Sequence, residues 1–101
     1  MVERRSEEPE GDYLLDAASE QWPNIRMMYR RFEDKKPVML FDIQEQRIYA
    51  YPYAAFMRDL SKRSQCLLKE QYEKAVHENQ MVVFVRDNER RRLVSFSLDC
   101  E

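Results

Sequence analysis

The sequence predicts a small single-domain α+β protein of order α-β-β-α-β-β, with an antiparallel-rich four-stranded sheet and helices packed on one face. Three observations lead there. Two pairs of short apolar segments are each joined by a few polar residues, as in β-hairpins. Apolar residues before and between those pairs recur with helical spacing. The chain has 101 residues, 44% hydrophobic and 36% charged, which is enough core material for one independent domain and too much charge for a membrane protein.

Charge divides the chain. Residues 1–20 carry seven acids against two bases, whereas residues 21–101 carry twelve acids against fifteen bases. The expected organisation is an acidic, flexible N-terminal leader over residues 1–20 and a mildly basic α+β domain over residues 21–101. Overlapping the end of the leader, Asp12 to Gln21 has the pattern of a short helix, with Asp12 as its cap and Tyr13, Leu14, Ala17 and Ala18 along it.

Trp22-Pro23 interrupts that pattern, and Pro23 suits the first turn of the next helix. Its Ile25, Met28, Tyr29 and Phe32 form a stripe that docks on a core, while Arg26, Arg30, Arg31 and Glu33 face water; Pro37 ends it. Val38 to Ile43 is a near-continuous apolar run, the mark of a strand buried on both faces. Gln44, Glu45 and Gln46 connect it to a second strand, Arg47 to Tyr51, through a loop built on a type I turn, since Gly and Asn are absent.

Pro52 ends the second strand and a helix starts near Tyr53, with Phe56, Met57 and Leu60 inward. The periodicity continues through Ser64, Leu67, Leu68, Tyr72, Ala75 and Val76, as one long helix or as two with a bend near residues 60–63, capped by Ser61 or Ser64. The clearest unit comes last: Met81 to Val85 and Leu93 to Leu98 flank a polar turn in which Asn88 can adopt positive φ.

Gly11 is the chain's one glycine, which excludes P-loop, Rossmann and kinase-type phosphate loops. No catalytic residue set emerges. Cys66 and His77 lie three helical turns apart, His77 near a helix C-terminus is explained by the helix dipole, and no Cys or His pair has metal-ligand spacing. No cofactor is implied. Asp42, inside an apolar strand, calls for a neighbouring arginine.

Candidate binding residues fall into two groups. Arg86, Arg90, Arg91 and Arg92 load one hairpin with guanidinium forks that recognise carboxylate or phosphate, or else protect a sheet edge. Tyr49, Tyr51 and Tyr53 alternate and project from one face, as a packed row with hydroxyls at its rim or as a stacking platform. The expected function is a non-catalytic protein-interaction or regulatory module whose partner is another protein or itself as a homodimer. Nucleic-acid binding through the arginine hairpin is the alternative, and a small enzyme without a recognisable motif the third reading. No membrane is expected as a partner, and Cys66 and Cys100, too few for a disulfide framework, are expected as free thiols in the cytoplasm.

Overall fold

Strands β1 (Val38–Asp42) and β3 (Gln80–Asp87) lie side by side in parallel at the centre of a four-stranded sheet, because their side chains are apolar on both faces and need cover on both. The computed structural model describes residues 10–100. β2 (Arg47–Tyr51) pairs antiparallel with β1, and β4 (Arg92–Asp99) antiparallel with β3, giving the order β2-β1-β3-β4. The helices are α1 (Glu10–Ser19), α2 (Trp22–Arg31), α3 (Tyr53–Arg58) and α4 (Lys62–His77).

The α+β class and the antiparallel-rich four-stranded sheet are as the sequence implies, but the helices cover both faces and not one. α1 and α2 place Leu14, Ala18, Ile25 and Tyr29 on Met39, Phe41, Met81, Val83 and Val85. α3 and α4 cover the other face, where Leu68 and Ala75 are buried with Val38, Leu40, Val82 and Phe84. The reason was legible in β1 itself: a strand whose five residues are all buried cannot leave one face to water.

The expected leader boundary also moves. Residues 10–19 form α1, with Leu14 and Ala18 fully buried, so the domain starts upstream of residue 21; residues 1–9 lie outside the described residues. Asp12 sits inside this helix, not at its cap. α2 stops at Arg31, well before Pro37, and a 3-10 turn over Glu33–Lys35 leaves Phe32 exposed. Arg26, expected in water, donates from Nε to the Asp99 carbonyl at 3.1 Å.

Between residues 53 and 77 there are two helices. Ser61 caps α4 by accepting the Ser64 backbone N–H, and Gln65 ties the bend by donating to the Met57 and Leu60 carbonyls. With one glycine in the chain, positive φ falls on Lys36, Gln46, Asn79 and Arg91. Arg91, not Asn88, takes the left-handed position of the last hairpin.

The chain thus runs ααββ twice. The order and pairing of the elements fit an approximate two-fold along the sheet between β1 and β3 that exchanges the faces, with α1–α2 on one side and α3–α4 on the other.

Candidate functional site

At one end of the sheet the two hairpin loops are locked together by side chains. Asp42, fully buried, accepts from Arg86 Nε at 2.9 Å and Nη2 at 2.8 Å, from the Glu45 backbone N–H at 2.9 Å, and from Asn88 Nδ2 at 3.3 Å. Burial opposes its ionisation, yet the Glu45 N–H and the Arg86 guanidinium outweigh that and hold its carboxyl below the usual value. In the other loop Asp87 accepts from the Tyr13 hydroxyl, from Gln44 Nε2 at 2.8 Å, and from the Glu89 and Arg90 backbone N–H groups. The Tyr13 bond, followed by those of Gln44 and the two backbone donors, holds Asp87 below the usual value against its burial. Gln44 Oε1 also accepts the Asn88 N–H at 2.8 Å, so each loop bonds to the other.

This network distributes the sequence-predicted arginines. Arg86 is committed to Asp42, and the Arg90 guanidinium stands 5.0 Å from the centre of the Tyr13 ring, a cation–π contact. Arg91 is exposed at the turn, and Arg92 pairs with Asp87 in the β3–β4 register. The bonds of Tyr13 and Gln44 to Asp87 escaped the sequence reading because the partners lie 43 to 74 residues apart along the chain.

The tyrosines lie on the opposite half of the sheet and pack, half-buried, beneath α3 and α4. Tyr49 and Tyr51 stack at 5.9 Å, Tyr51 contacts Phe56 at 5.7 Å, and Tyr53 stacks on Tyr72 at 4.0 Å. β2 ends at Tyr51, so Tyr53 joins this row from the first turn of α3. Tyr49 donates to Glu45 at 2.6 Å and Tyr72 to the Lys36 carbonyl at 2.7 Å. Ile48 and Ala50 pack on the α1–α2 core, so β2 is used on both faces. Of the two predicted groups, Arg86 and Tyr51 meet: both line a cavity of about 340 Å³ with Leu40, Phe56, Leu60 and Leu93.

From that cavity a groove continues between α4 and β4 over Leu60, Leu67, Gln71, Phe84, Leu93 and Ser95. Gln71 bridges it, accepting from the Ser95 hydroxyl at 2.9 Å. Leu67 is 61% exposed and Leu93 47% exposed on its two walls. Leu67 had been expected on the inward stripe with Leu68; consecutive helical residues diverge by about 100°, and the core takes Leu68. Beyond the groove lies the outer edge of β4.

Other chemistry is sparse. α4 runs unbroken from Lys62 to His77, which keeps Cys66 and His77 apart. Cys66 and Cys100 are both free. Among the described residues no cluster of three His, Cys, Asp or Glu side chains is placed to hold a metal ion, and no helix is long and apolar enough to cross a membrane. No protein-family model, curated protein or solved structure matches this chain.

Proposed function

We propose that this protein is a non-catalytic interaction module, working in the cytoplasm with its two thiols free, that takes a protein partner along the outer edge of β4. One observation carries the reading. β4 is eight residues long, keeps continuous register with β3 from Asp87↔Arg92 to Gln80↔Asp99, and bears no charge from Leu93 to Leu98. Edges of this kind are usually shielded by Lys, Pro, a bulge or shortness. β2, the opposite edge, has such shielding: five residues, Arg47 at its start and Pro52 at its end. Exposed Leu67 and Leu93 beside β4 add the apolar surface that a partner's side chains would cover.

The nucleic-acid alternative draws on Arg90 and Arg91, exposed at the turn, but it is weakened because Arg86 is spent on Asp42 and Arg90 rests on Tyr13. Salt-dependent oligonucleotide binding lost in Arg90→Ala/Arg91→Ala would favour it.

The test is a photo-reactive residue at Leu67, with a control at exposed Arg30 on α2, followed by purification of the captured protein and titration against variants. Affinity that falls with Ser95→Lys and holds with Arg30→Ala is the expected result. Equal capture at both positions, or binding indifferent to Ser95→Lys, overturns the reading.

A further inference from the structure

We propose that β4 pairs with the β4 of a second copy of this chain, antiparallel about a two-fold axis at Ser95, to make one continuous eight-stranded sheet. The proposal rests on the reading of the β4 edge as the contact surface and names its occupant.

The ladder determines which backbone groups are offered. The Cys100 N–H donates to the Asn79 carbonyl at 3.3 Å, so by alternation Leu98, Phe96 and Val94 bond inward to β3. Leu93, Ser95, Ser97 and Asp99 therefore turn their N–H and C=O groups away from the sheet. The Asp99 carbonyl already accepts from Arg26, which leaves Leu93, Ser95 and Ser97 as the pairing set.

Symmetry then selects the register. A two-fold axis normal to the sheet pairs only residues that face the same side. Centred on Ser95, it sets Ser95 against Ser95, Leu93 against Ser97 and Val94 against Phe96, with every offered backbone group bonded. Val94 and Phe96 extend the apolar α1–α2 face across the junction, where Trp22 already packs edge-on to Phe96 at 6.4 Å. The same register brings Asp99 of each copy beside the turn of the other that carries exposed Arg91, and opposite charges there attract. A register centred on Phe96 would require the Asp99 carbonyl and would lose those charge pairs.

A second copy is favoured over a foreign strand because β4 is complementary to itself: its apolar and serine residues alternate, and its two ends carry opposite charges. Nor do α1 and α4 obstruct the junction, while α2 touches β4 through Trp22 on Phe96 and Arg26 on the Asp99 carbonyl, contacts that the register leaves in place. α4 and α1 both pack on β3. Three strand spacings separate β3 from its counterpart, roughly 14 Å, against a helix diameter of roughly 10 to 12 Å.

Sedimentation equilibrium of the full chain over a wide concentration range, with circular dichroism as a fold control, tests this. The wild type is expected to dimerise. Ser95→Lys places like charges face to face at the axis and should weaken dimerisation on the order of tenfold or more. Ser95→Pro removes an outward N–H without touching the ladder to β3 and should do likewise. In a Cys66→Ser/Cys100→Ser background, Ser95→Cys should form an intermolecular disulfide faster than Ser97→Cys. Faster crosslinking at position 97 overturns the register, and a chain monomeric at every concentration overturns the dimer. In that case, a partner captured at Leu67 and lost with Ser95→Lys leaves the edge reading standing; if that also fails, both fall.

Discussion

The two ααββ halves solve the same problem with different residues. Asp42 and Asp87 occupy equivalent positions at the ends of the inner strands, each accepting backbone N–H groups of the loop that follows. Gln46 and Arg91 are equivalent left-handed residues closing those loops, and Arg47 and Arg92 start the outer strands opposite the two aspartates. The halves differ in how those carboxylates are satisfied and in how the outer strands end. Asp42 has an arginine partner and Asp87 a tyrosine and a glutamine. β2 runs straight into α3 at Pro52, which shortens it, whereas β4 runs on to Asp99. What the comparison teaches is that the stability devices are shared by both halves, while the exposed surface belongs to one.

The largest effect is expected where the halves diverge inside the core. Phe41 and Arg86 are equivalent positions, one buried against α1–α2 and the other paired with Asp42 on the opposite face. Phe41→Ala should cost about 3 to 5 kcal/mol, measured by denaturant unfolding, because it leaves a cavity beneath two helices. Next comes Asp42→Asn, which strands the Arg86 charge. Since half-exposed Arg86 can still reach water, the loss should lie at the lower end of about 3 to 5 kcal/mol. Asp87→Asn should cost less, for the donors it faces, the Tyr13 hydroxyl, Gln44 and two backbone N–H groups, are neutral.

The two aspartates also set the response to acid. Each has its folded pKa below the ordinary 3.8, so its contribution is complete at neutral pH and is lost as pH falls through the folded value. Stability should therefore drop on going below about pH 4, and this acid limb should flatten stepwise in Asp42→Asn and then the double variant. An acid limb unchanged in both variants would assign it to other carboxylates.

Much of this was legible in the sequence, and the remainder was hidden for definable reasons. The near-continuous apolar run at Val38 to Ile43 marked a strand buried on both faces, and the apolar segments Met81 to Val85 and Leu93 to Leu98 marked the second hairpin, but the strand order had no local signal. The parallel pairing of β1 with β3 was not legible, since it depends on a crossover through α3 and α4 that leaves no local signature. The duplication was masked because the two-fold exchanges faces: Tyr49 and Tyr51 correspond to Val94 and Phe96, matched in burial and not in identity. The arginines and tyrosines could be picked out singly. That Arg86 faces Asp42 and shares a cavity with Tyr51 required the register.

Smaller changes sharpen the comparison at the helix ends and turns. α4 has a serine cap and α2 has no side-chain cap, so Ser61→Ala should lose about 1 kcal/mol in thermal unfolding, with no counterpart at Gln21. The left-handed residues give the finest test. Gln46 and Arg91 carry a Cβ into a conformation that disfavours it, and each should gain up to about 1 kcal/mol on replacement by glycine. Asn79, left-handed before β3, already tolerates that region, so Asn79→Gly should change little. If Gln46→Gly and Arg91→Gly stabilise alike, the two loops are equivalent in energy as well as in shape. A gain at Gln46 alone would mean that the Arg91 side chain contributes to the fold what its backbone costs.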